Sequence, residues 1–502
     1  MTVLRFLFPA LLMQPVLAQT PAESPERPQY QPAAIEASWT PLRLPSGERT
    51  ALAGLSYMVA VNEDWGLGPA VFGAARGAYG GFFTAGVQVQ RRWDLGGPLH
   101  LATSLYVGAG GGVSSPQVNS GGGLMLRPEL SLRSRVGRSG YVGLGWSRVH
   151  FPSGTIRDSQ LAFTLGMAND FSAFSPSRSG AVGRGGEREG MGFDEIALSA
   201  GVERLRSGHT RTGQPLKRGV GRAGAELRQY VAPDSWWGLE ASGAAKGGAD
   251  GYMEILGNIG QDFALGSENL RAGLQLSAGL GGGGAVDTGS GWLLRAGPTL
   301  RWITPWGPSV QLLAAQMKAR GDYSARQLRL SLAIPLDQPR GLGRLDEQGR
   351  VREQTWALSL PHFPRMPFKD GKREAITGLG LQMHRDFNTQ WYGTAQAGSA
   401  AWGRAGAYSY GLFGLGWKTQ PFAGGSLRAG VEALVGAAGG GGVQVGSGAA
   451  AQGEAWLQWQ GLGAQERWRA RLGLGRWASR GGESTPMVNL SLGYSFGVLG
   501  AR

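Results

Sequence analysis

Side chains alternate between apolar and polar or small residues over long stretches of this chain. Between positions 124 and 133, four leucines and a proline at even positions alternate with Met, Arg, Glu and Ser at odd positions. The same pattern occurs at 328–336 and again at 488–498. Successive side chains of an extended strand point to opposite faces, so a period of two marks strands that have one apolar face. The pattern therefore predicts a chain of β-strands and disfavours helices.

The length of the alternating segments distinguishes two all-β architectures. Strands of a soluble β-sandwich usually have about five or six residues, whereas many segments here run for about 10 to 14 residues, enough to cross a bilayer at a tilt. Their second faces combine Arg, Glu and Gln with small residues, as at 270–279. Because only a closed sheet satisfies its backbone in lipid, the sequence predicts a transmembrane antiparallel β-barrel.

Composition excludes several other classes of protein. The chain has 88 glycines without a three-residue period, and it has no cysteine, which excludes collagen, disulfide scaffolds and cysteine-ligated zinc. The mean hydropathy of −0.17 is not that of a helical membrane protein. No window of about 18 apolar residues occurs after the first segment.

The first residues have the layout of a secretory signal peptide. One cation, Arg5, precedes a short apolar run and a small residue at Ala18. Such a segment is removed on export and is too short to span a bilayer. We therefore predict a signal peptide at 1–18 and a periplasmic amino-terminal segment at 19–33.

These features together resemble Gram-negative outer-membrane β-barrel proteins as an architectural class. Residues 490–496 resemble the carboxy-terminal assembly signal of that class, although six residues follow Phe496 here. The resemblance implies an outer-membrane location, contact with outer-membrane lipid and lipopolysaccharide, and the barrel assembly machinery as a partner. Aromatic residues at segment ends suit the two interfacial girdles of such barrels: Trp65, Trp93, Tyr141, Trp236, Trp237, Tyr252, Trp302, Trp306, Trp391, Tyr392 and Trp417. The alternative is that some of these aromatic residues belong to a core.

Internal repeats divide the chain into three units. A glycine run follows a strand pattern at 108–112, 279–284 and 436–442, and a Trp-Gly or Trp-Tyr-Gly sequence precedes each run by about 45 residues. We predict units at 34–172, 195–336 and 354–502, separated by linkers at 173–194 and 337–353, with the assembly signal ending the third unit.

Each predicted unit has room for eight strands. In the second unit these lie near 195–205, 220–231, 236–247, 252–263, 269–281, 291–302, 308–318 and 325–336. Three units give about 24 strands, which form either one barrel or three tandem eight-stranded barrels. We favour the single barrel, because an eight-stranded barrel must fill its lumen with side chains and the Gly, Ala and Ser on the inner faces would fill it poorly.

The net charge of +14 comes mainly from arginine. If the arginines on polar faces line a lumen, that lumen attracts anions. The candidate lumen-lining residues are Arg127, Glu129, Arg133, Arg271, Gln275, Arg295, Arg301, Arg329, Arg428, Glu432, Arg469 and Arg471. The sequence thus predicts an outer-membrane pore or export channel with a basic, anion-preferring lumen, whose cargo is an anionic polymer or solute. Nucleic acid is excluded as a partner of a secreted barrel.

A second interpretation of the arginines stays open. They can pair with glutamates such as Glu226, Glu240, Glu254 and Glu454 and so fill space or brace the wall. The barrel would then be a plugged structural or receptor protein that acts through its surface loops.

Signals for catalysis are weak. The five histidines are far apart, and the Gly-x-Ser-x-Gly match at 493–497 lies within an alternating strand. His150 and Ser153 follow a strand in a position similar to that of the catalytic pair of lipid A deacylase barrels, but their spacing is wider. A lipid A-modifying enzyme is therefore only a third interpretation, and we predict no catalytic residue, metal site or cofactor.

Overall fold

The computed structural model describes residues 27–112, 118–185, 189–216, 219–284, 286–336, 348–462 and 466–499. The predicted signal peptide, the start of the predicted amino-terminal segment and positions 337–347 of the second predicted linker lie outside the described residues. Within the described ranges, helices long and apolar enough to cross a membrane are absent.

The first barrel has eight antiparallel strands. They are β1 (Gln29–Arg43), β2 (Arg49–Ala60), β3 (Trp65–Arg76), β4 (Phe83–Asp94), β5 (Leu99–Gly111), β6 (Leu124–Val136), β7 (Gly140–His150) and β8 (Arg157–Ala173). Each strand pairs with the next, and β1 pairs with β8 from Gln29 opposite Ala173 to Trp39 opposite Phe163. This last pairing closes the sheet.

The second barrel repeats this order after a short strand, β9 (Val182–Arg184). Its strands are β10 (Glu195–Ser207), β11 (Gly219–Ala232), β12 (Ser235–Lys246), β13 (Tyr252–Ser267), β14 (Leu270–Gly283), β15 (Trp292–Ile303), β16 (Ser309–Ala319) and β17 (Ser324–Pro335). Closure comes from β10 and β17, with Glu195 opposite Pro335.

The third barrel consists of β18 (Gln348–Pro367), β19 (Arg373–Asp386), β20 (Trp391–Trp402), β21 (Ser409–Lys418), β22 (Leu427–Gly439), β23 (Ala449–Leu462), β24 (Trp468–Ser479) and β25 (Ser484–Leu499). Strand β18 pairs with both β19 and β25, which closes the sheet. The beginning of β18 also pairs with β9, so the segment between the first two barrels is attached to the third.

The all-β antiparallel barrel fold is confirmed, but the single 24-stranded barrel that we favoured is not what the structure shows. The strands close into three eight-stranded sheets, which was the alternative. The argument against small barrels failed because the inner faces carry large side chains, and Tyr106, Arg133, Trp236, Arg301 and Trp477 are all almost fully buried. These residues fill the space that Gly, Ala and Ser would leave empty.

The outer faces of the strands are apolar. Leu274, Leu294 and Leu330 are between 55% and 65% exposed, while the polar residues that alternate with them, such as Gln275, Arg295 and Arg329, are buried. This apolar-out and polar-in pattern is the reverse of a soluble barrel and is that of a barrel in lipid. The predicted resemblance to outer-membrane β-barrels as an architectural class is confirmed.

Each barrel has two distinct ends. The first and last strands of a barrel start and finish at the same end, as the pairing of Gln29 with Ala173 shows for the first barrel. We call this the termini end. The opposite end carries the glycine-rich turns that include Gly81, Gly283 and Gly440, and we call it the glycine end.

At the glycine end the barrels contact one another in a ring. The turn at Gly80 of the first barrel donates a backbone hydrogen bond to Gly289 of the second, at 2.9 Å. A Cβ atom added to Gly251 of the second barrel would lie 2.7 Å from the backbone nitrogen of Gly440 in the third. The turn at Gly406 of the third barrel donates to Gly121 of the first, at 3.0 Å. Each barrel thus offers its turn to the glycine segment of the next, which is a closed heterologous arrangement.

One arginine reinforces the contact between the first two barrels. The guanidinium of Arg211, in the loop after β10, donates to the carbonyl oxygens of Ala78 and Gly80. Burial lowers the pKa of Arg211, and the nearby carboxylate of Asp287 opposes this effect. These contacts and the backbone contacts described above show that the glycine segments are sites of close backbone approach between barrels, where a larger side chain would not fit.

At the termini end, aromatic residues join the first barrel to the third. The rings of Phe171 and Phe496 have centroids 5.0 Å apart, and Trp356 lies 5.1 Å from Phe496. The aromatic residue of the predicted assembly signal is thus buried between two barrels in the folded chain.

Candidate functional site: the three barrel lumens

The lumen of the second barrel holds a network of arginines and carboxylates. Arg222 lies 2.7 Å from carboxylate oxygens of both Glu203 and Glu254. Its guanidinium also lies over the ring of Tyr252, 4.3 Å from the centroid. These side chains come from alternate positions of different strands, because the inward face of each strand repeats every second residue.

Glu240 is the centre of the same lumen. It accepts hydrogen bonds from Arg295 Nη1 and from Asn258 Nδ2, both at 3.0 Å, and it forms an ion pair with Arg329. Arg329 also lies 3.5 Å from Glu226. Two cations therefore share one buried carboxylate, and hydrogen bonds hold that carboxylate in place.

Towards the termini end the network continues with other partners. Arg301 pairs with Glu195 and lies 3.5 Å from Asp262. Arg228 donates to Glu226 at 2.7 Å. Ion pairs are thus present in this lumen from one end of the spanning region to the other.

The lumen of the first barrel contains fewer charged residues than that of the second, but they form ion pairs of the same kind. Glu36 accepts from Arg133 Nη1 and from the hydroxyl of Tyr141, both at 2.6 Å. Arg127 pairs with Glu129 and donates to the hydroxyl of Thr40 at 2.8 Å. All of these polar groups have partners on the inner wall.

In the third barrel one carboxylate attracts several cations. Glu353 lies 3.1 Å from Arg469, 3.7 Å from Arg428 and 3.8 Å from Lys418.

A second carboxylate of the third lumen, Glu432, lies in the middle of β22 on its inner face. Glu432 accepts hydrogen bonds from Arg471 Nη1 and from the hydroxyl of Tyr392, both at 2.9 Å. The third lumen is therefore held by the same kind of ion pair as the other two.

An apolar cluster covers each network at the glycine end. In the first barrel Phe72, Tyr106 and Met125 on strands pack with Phe82 and Phe151 from the turns. The other two caps contain Val220, Tyr252, Val286 and Tyr323, and Phe363, Tyr408, Val443 and Trp477, respectively. Because turn residues fold inward, the described lumens are covered at this end.

All twelve predicted lumen-lining residues lie in these networks or at their edges. In the first barrel Arg127 contacts Glu129 and Arg133 pairs with Glu36. In the second, Arg329 donates to Gln275, Arg295 pairs with Glu240 and Arg301 pairs with Glu195. Arg428, Glu432, Arg469 and Arg471 belong to the third barrel. Arg271 lies at the termini end of the second barrel, where it pairs with Asp234 and Glu268. The structure does not bring the three groups together into one site.

The buried charges nearly cancel. Among the described residues of the second barrel, six buried cations face seven buried carboxylates: Arg222, Arg228, Arg271, Arg295, Arg301 and Arg329 against Asp194, Glu195, Glu203, Glu226, Glu240, Glu254 and Asp262. In the first barrel Arg127 and Arg133 face Glu36 and Glu129. The excess positive charge of the chain is therefore carried elsewhere than in these two lumens.

Sequence reasoning missed several members of the networks. Glu36, Glu195, Glu203, Arg222 and Arg228 are as buried as the residues that were predicted. The signal that could have found them is parity, since Arg222 and Arg228 share a face of β11 with Glu226. Arg222 and Arg228 should therefore have been assigned to the inner face of the barrel together with Glu226.

Seven of the eleven predicted girdle residues fall into two groups, and the other four are half-buried: Trp93, Tyr141, Trp237 and Trp417. Trp65, Trp302, Trp306 and Trp391 are exposed near the termini end, as an interfacial girdle requires. Trp236, Tyr252 and Tyr392 are instead buried inside the barrels. The alternative of a core role therefore holds for this second group.

The proposed pair of His150 and Ser153 does not form a hydrolase site. His150 is opposite Arg157 at the end of β7, and the hydroxyl of Ser153 accepts a hydrogen bond from the backbone of Gly122 at 2.8 Å. Ser153 thus stabilises a turn. This geometry gives no support to the third interpretation.

The fold and lumens define a class, a chain of closed antiparallel β-barrels with lipid-type outer faces and charged interiors. No protein-family model matches the chain, and no curated protein matches it. Among solved structures, the outer-membrane protein OpdK of Pseudomonas aeruginosa is similar at 12% identity and a TM-score of 0.24, with 93% of this chain and 99% of that chain covered.

Two further proteins of the same organism give similar values. OccK9 (OpdG) has 12% identity and a TM-score of 0.22, with 93% and 98% of the two chains covered. OccK2 (OpdF), solved in complex with glucuronate, has 9% identity and a TM-score of 0.21, with 94% and 97% covered. These scores are too low to transfer a pore or a substrate to this chain.

Proposed function

We propose that this chain is an outer-membrane β-barrel protein whose three lumens are closed and which acts as a structural or receptor platform through its outer surfaces. The observation that supports this most directly is the buried ion-pair network in each lumen, covered by an apolar cluster at the glycine end. This is the plugged barrel that the sequence left open as an alternative to a pore.

Energetics favour a closed lumen over a conducting one. A solute crossing the second barrel would have to separate Glu240 from Arg295 and Arg329, which are all almost completely buried. Separating a buried pair leaves an uncompensated charge, at a cost of about 3–5 kcal/mol. In the first two barrels the predicted anion preference also loses its basis, because buried carboxylates match the arginines there.

The membrane orientation follows from the termini. An exported chain with its amino terminus in the periplasm places the termini end there and the glycine end at the outer surface. Fractionation of the producing cell is expected to recover the mature chain with outer-membrane markers. Recovery in the soluble periplasmic fraction would contradict the proposal.

Planar-bilayer recording tests the closed lumens. The purified chain, judged folded by its heat-dependent mobility on gels, is expected to give no conductance steps. A general porin inserted in the same bilayer is the positive control. Anion-selective steps from the folded chain would overturn the proposal and restore the pore.

A further inference from the structure

Exposed cations recur at the same place in all three barrels. They lie at the glycine end, mostly on the outer face of the first, last and penultimate strands. We call this set the cation collar: Arg43, Arg148 and Arg157 in the first barrel, Arg204, Lys318 and Arg326 in the second, and Arg365, Arg373 and Arg476 in the third. All are exposed except Arg148, which is half-buried.

The second barrel shows the geometry most clearly. Arg204 on β10 and Arg326 on β17 are directly opposite each other in the sheet, and both side chains are on the outer face. Residues opposite each other have Cβ atoms about 5 Å apart, so two like charges there destabilise the pair. Lys318 lies on the next strand, opposite Ser324 and two residues beyond the level of Arg326 towards the glycine end. An anion bound between these cations would relieve their repulsion.

The cations of the second barrel are not neutralised within the protein. In the described part of the chain, Arg204, Arg326 and Lys318 form no salt bridge. Their charge therefore faces the surroundings of the barrel, whereas the arginines of the lumen face carboxylates.

The first barrel repeats this arrangement on equivalent strands. Arg157 on β8 is opposite His150, and Arg148 on β7 is opposite Ser159. Arg43 is at the end of β1, where its backbone nitrogen donates to Asp158 Oδ2 at 2.6 Å. Asp158 is the acidic residue of this cluster, so the three arginines still carry a positive excess.

In the third barrel the cations are accompanied by Glu483 and by Glu374, and Glu374 pairs with the further cation Arg404. Arg373 lies 2.6 Å from Glu483, and Arg476 donates to the hydroxyl of Ser484 at 2.9 Å. Arg365 is exposed near the end of β18. The excess of positive charge is thus common to all three barrels.

The collar lies just beyond the lipid-facing surface. On the outer face of β17, Arg326 lies two residues closer to the glycine end than Leu328. On β7, Arg148 lies two residues closer to that end than Trp146. Two residues of a strand cover about 7 Å, so the cations lie at the depth of lipid headgroups. At the termini end the outer faces carry aromatic residues such as Trp302.

We propose that the cation collar binds the phosphate groups of lipids in the outer leaflet, with one site on each barrel. Arginine pairs with phosphate through two parallel hydrogen bonds, and clustered cations at the headgroup level strengthen this attraction. The partner class is a phosphorylated glycolipid such as lipid A, which would pack its acyl chains on the leucines below. This inference rests on the proposed outer-membrane placement.

The test uses the full mature chain in nanodiscs of phosphatidylcholine that contain diphosphoryl lipid A, or lipid A from which the phosphates have been removed. Lipid retained by the protein is measured by native mass spectrometry, and the thermal midpoint is recorded in parallel, since a bound ligand raises it. The expected result is retention and stabilisation by the diphosphoryl form only. Equal retention of the dephosphorylated form would overturn the proposal.

Variants locate the site. Replacing the second barrel's cluster (R204Q/K318Q/R326Q) is expected to weaken lipid A binding at that barrel by roughly a hundredfold, the product of three contacts worth about fivefold each. The matched control is R92Q/R135Q/R138Q, which removes the same charge from the termini end and should leave binding unchanged. Equal loss in both variants would refute a collar site and indicate only attraction to net charge.

Two further outcomes separate this inference from the proposed function. Inorganic phosphate added to phosphatidylcholine discs that lack lipid A should not reproduce the stabilisation. If it does, the collar is a site for free phosphate and the lipid proposal fails. Failure of the wild-type chain to insert into lipid would refute the outer-membrane placement itself, whereas insertion without lipid A selectivity would refute the collar alone.

Discussion

Removing the charge of Glu240 is the sharpest test of the lumen network. Its side chain is 1% exposed, and it is the shared partner of Arg295 and Arg329. In Glu240→Gln the carboxylates that remain beside the two guanidinium groups, among the described residues, are Glu226, 3.5 Å from Arg329, and Glu254, 3.8 Å from Arg295. Removing one partner of a buried ion pair costs about 3–5 kcal/mol. Because second carboxylates remain and glutamine still accepts hydrogen bonds, we expect the lower limit, about 3 kcal/mol.

The assay is equilibrium unfolding by urea in lipid vesicles, followed by tryptophan fluorescence. The matched control is Glu268→Gln, because Glu268 lies 3.0 Å from Arg271 but has an 86% exposed side chain. An exposed pair contributes about 0–1 kcal/mol, so this variant should unfold like the wild type. The difference between the two variants measures the effect of burial rather than of charge number.

A double variant checks the cause of the loss. Glu240→Gln combined with Arg295→Met removes one uncompensated cation and fills its volume with an apolar side chain. Replacing both partners of a buried pair is often neutral or stabilising, so the double variant should recover part of the stability lost by Glu240→Gln alone. The reasoning is refuted if Glu240→Gln lies within about 1 kcal/mol of the wild type.

Two further substitutions test the ring of barrels and the lipid-facing surface. Gly81→Val places a Cβ atom 2.0 Å from the backbone nitrogen of Gly283, at a φ of +88°. It should destabilise the protein by at least about 2 kcal/mol more than the control Gly47→Val, because Gly47 has a similar φ of +83° but open space around it. Equal urea midpoints of the two variants would contradict the ring contact. Leu330→Arg places a charge on the outer face within the membrane and should lower the free energy of unfolding by about 2–4 kcal/mol. The control is Leu95→Arg, because Leu95 is similarly exposed but lies in a turn at the termini end. This control should have little effect on the folded fraction in vesicles. Equal folded fractions would mean that Leu330 does not face lipid.

Local structure was predictable because alternation is a local signal. The strand predicted near 236–247 is Ser235–Lys246, and the one predicted near 269–281 is Leu270–Gly283. Side-chain period fixes where a strand runs and which residues share its face. It does so without any knowledge of the strand's neighbours.

Closure of the sheet was not predictable from the same signal. Whether β8 pairs with β1 or with the next unit leaves the alternation of every strand unchanged. The choice depends on what fills the lumen, and we expected small residues there. Many of the small residues lie instead where barrels contact one another, as Ala109 of the first barrel does beside Ala401 of the third. Close packing between barrels needs small residues for the reason that helix contacts in membranes do.

The same limit explains why net charge gave a misleading picture of the lumen. A whole-chain charge of +14 fixes how many cations exceed the acids but not where the excess lies. Buried charge must be paired, since an isolated one in a closed lumen is too costly, so carboxylates accompany the arginines wherever strands close tightly. The unpaired excess can lie only where water or headgroups solvate it, and the opposed Arg204 and Arg326 lie at such a surface. A basic composition in a small sealed barrel therefore argues for a charged outer rim rather than for a charged pore.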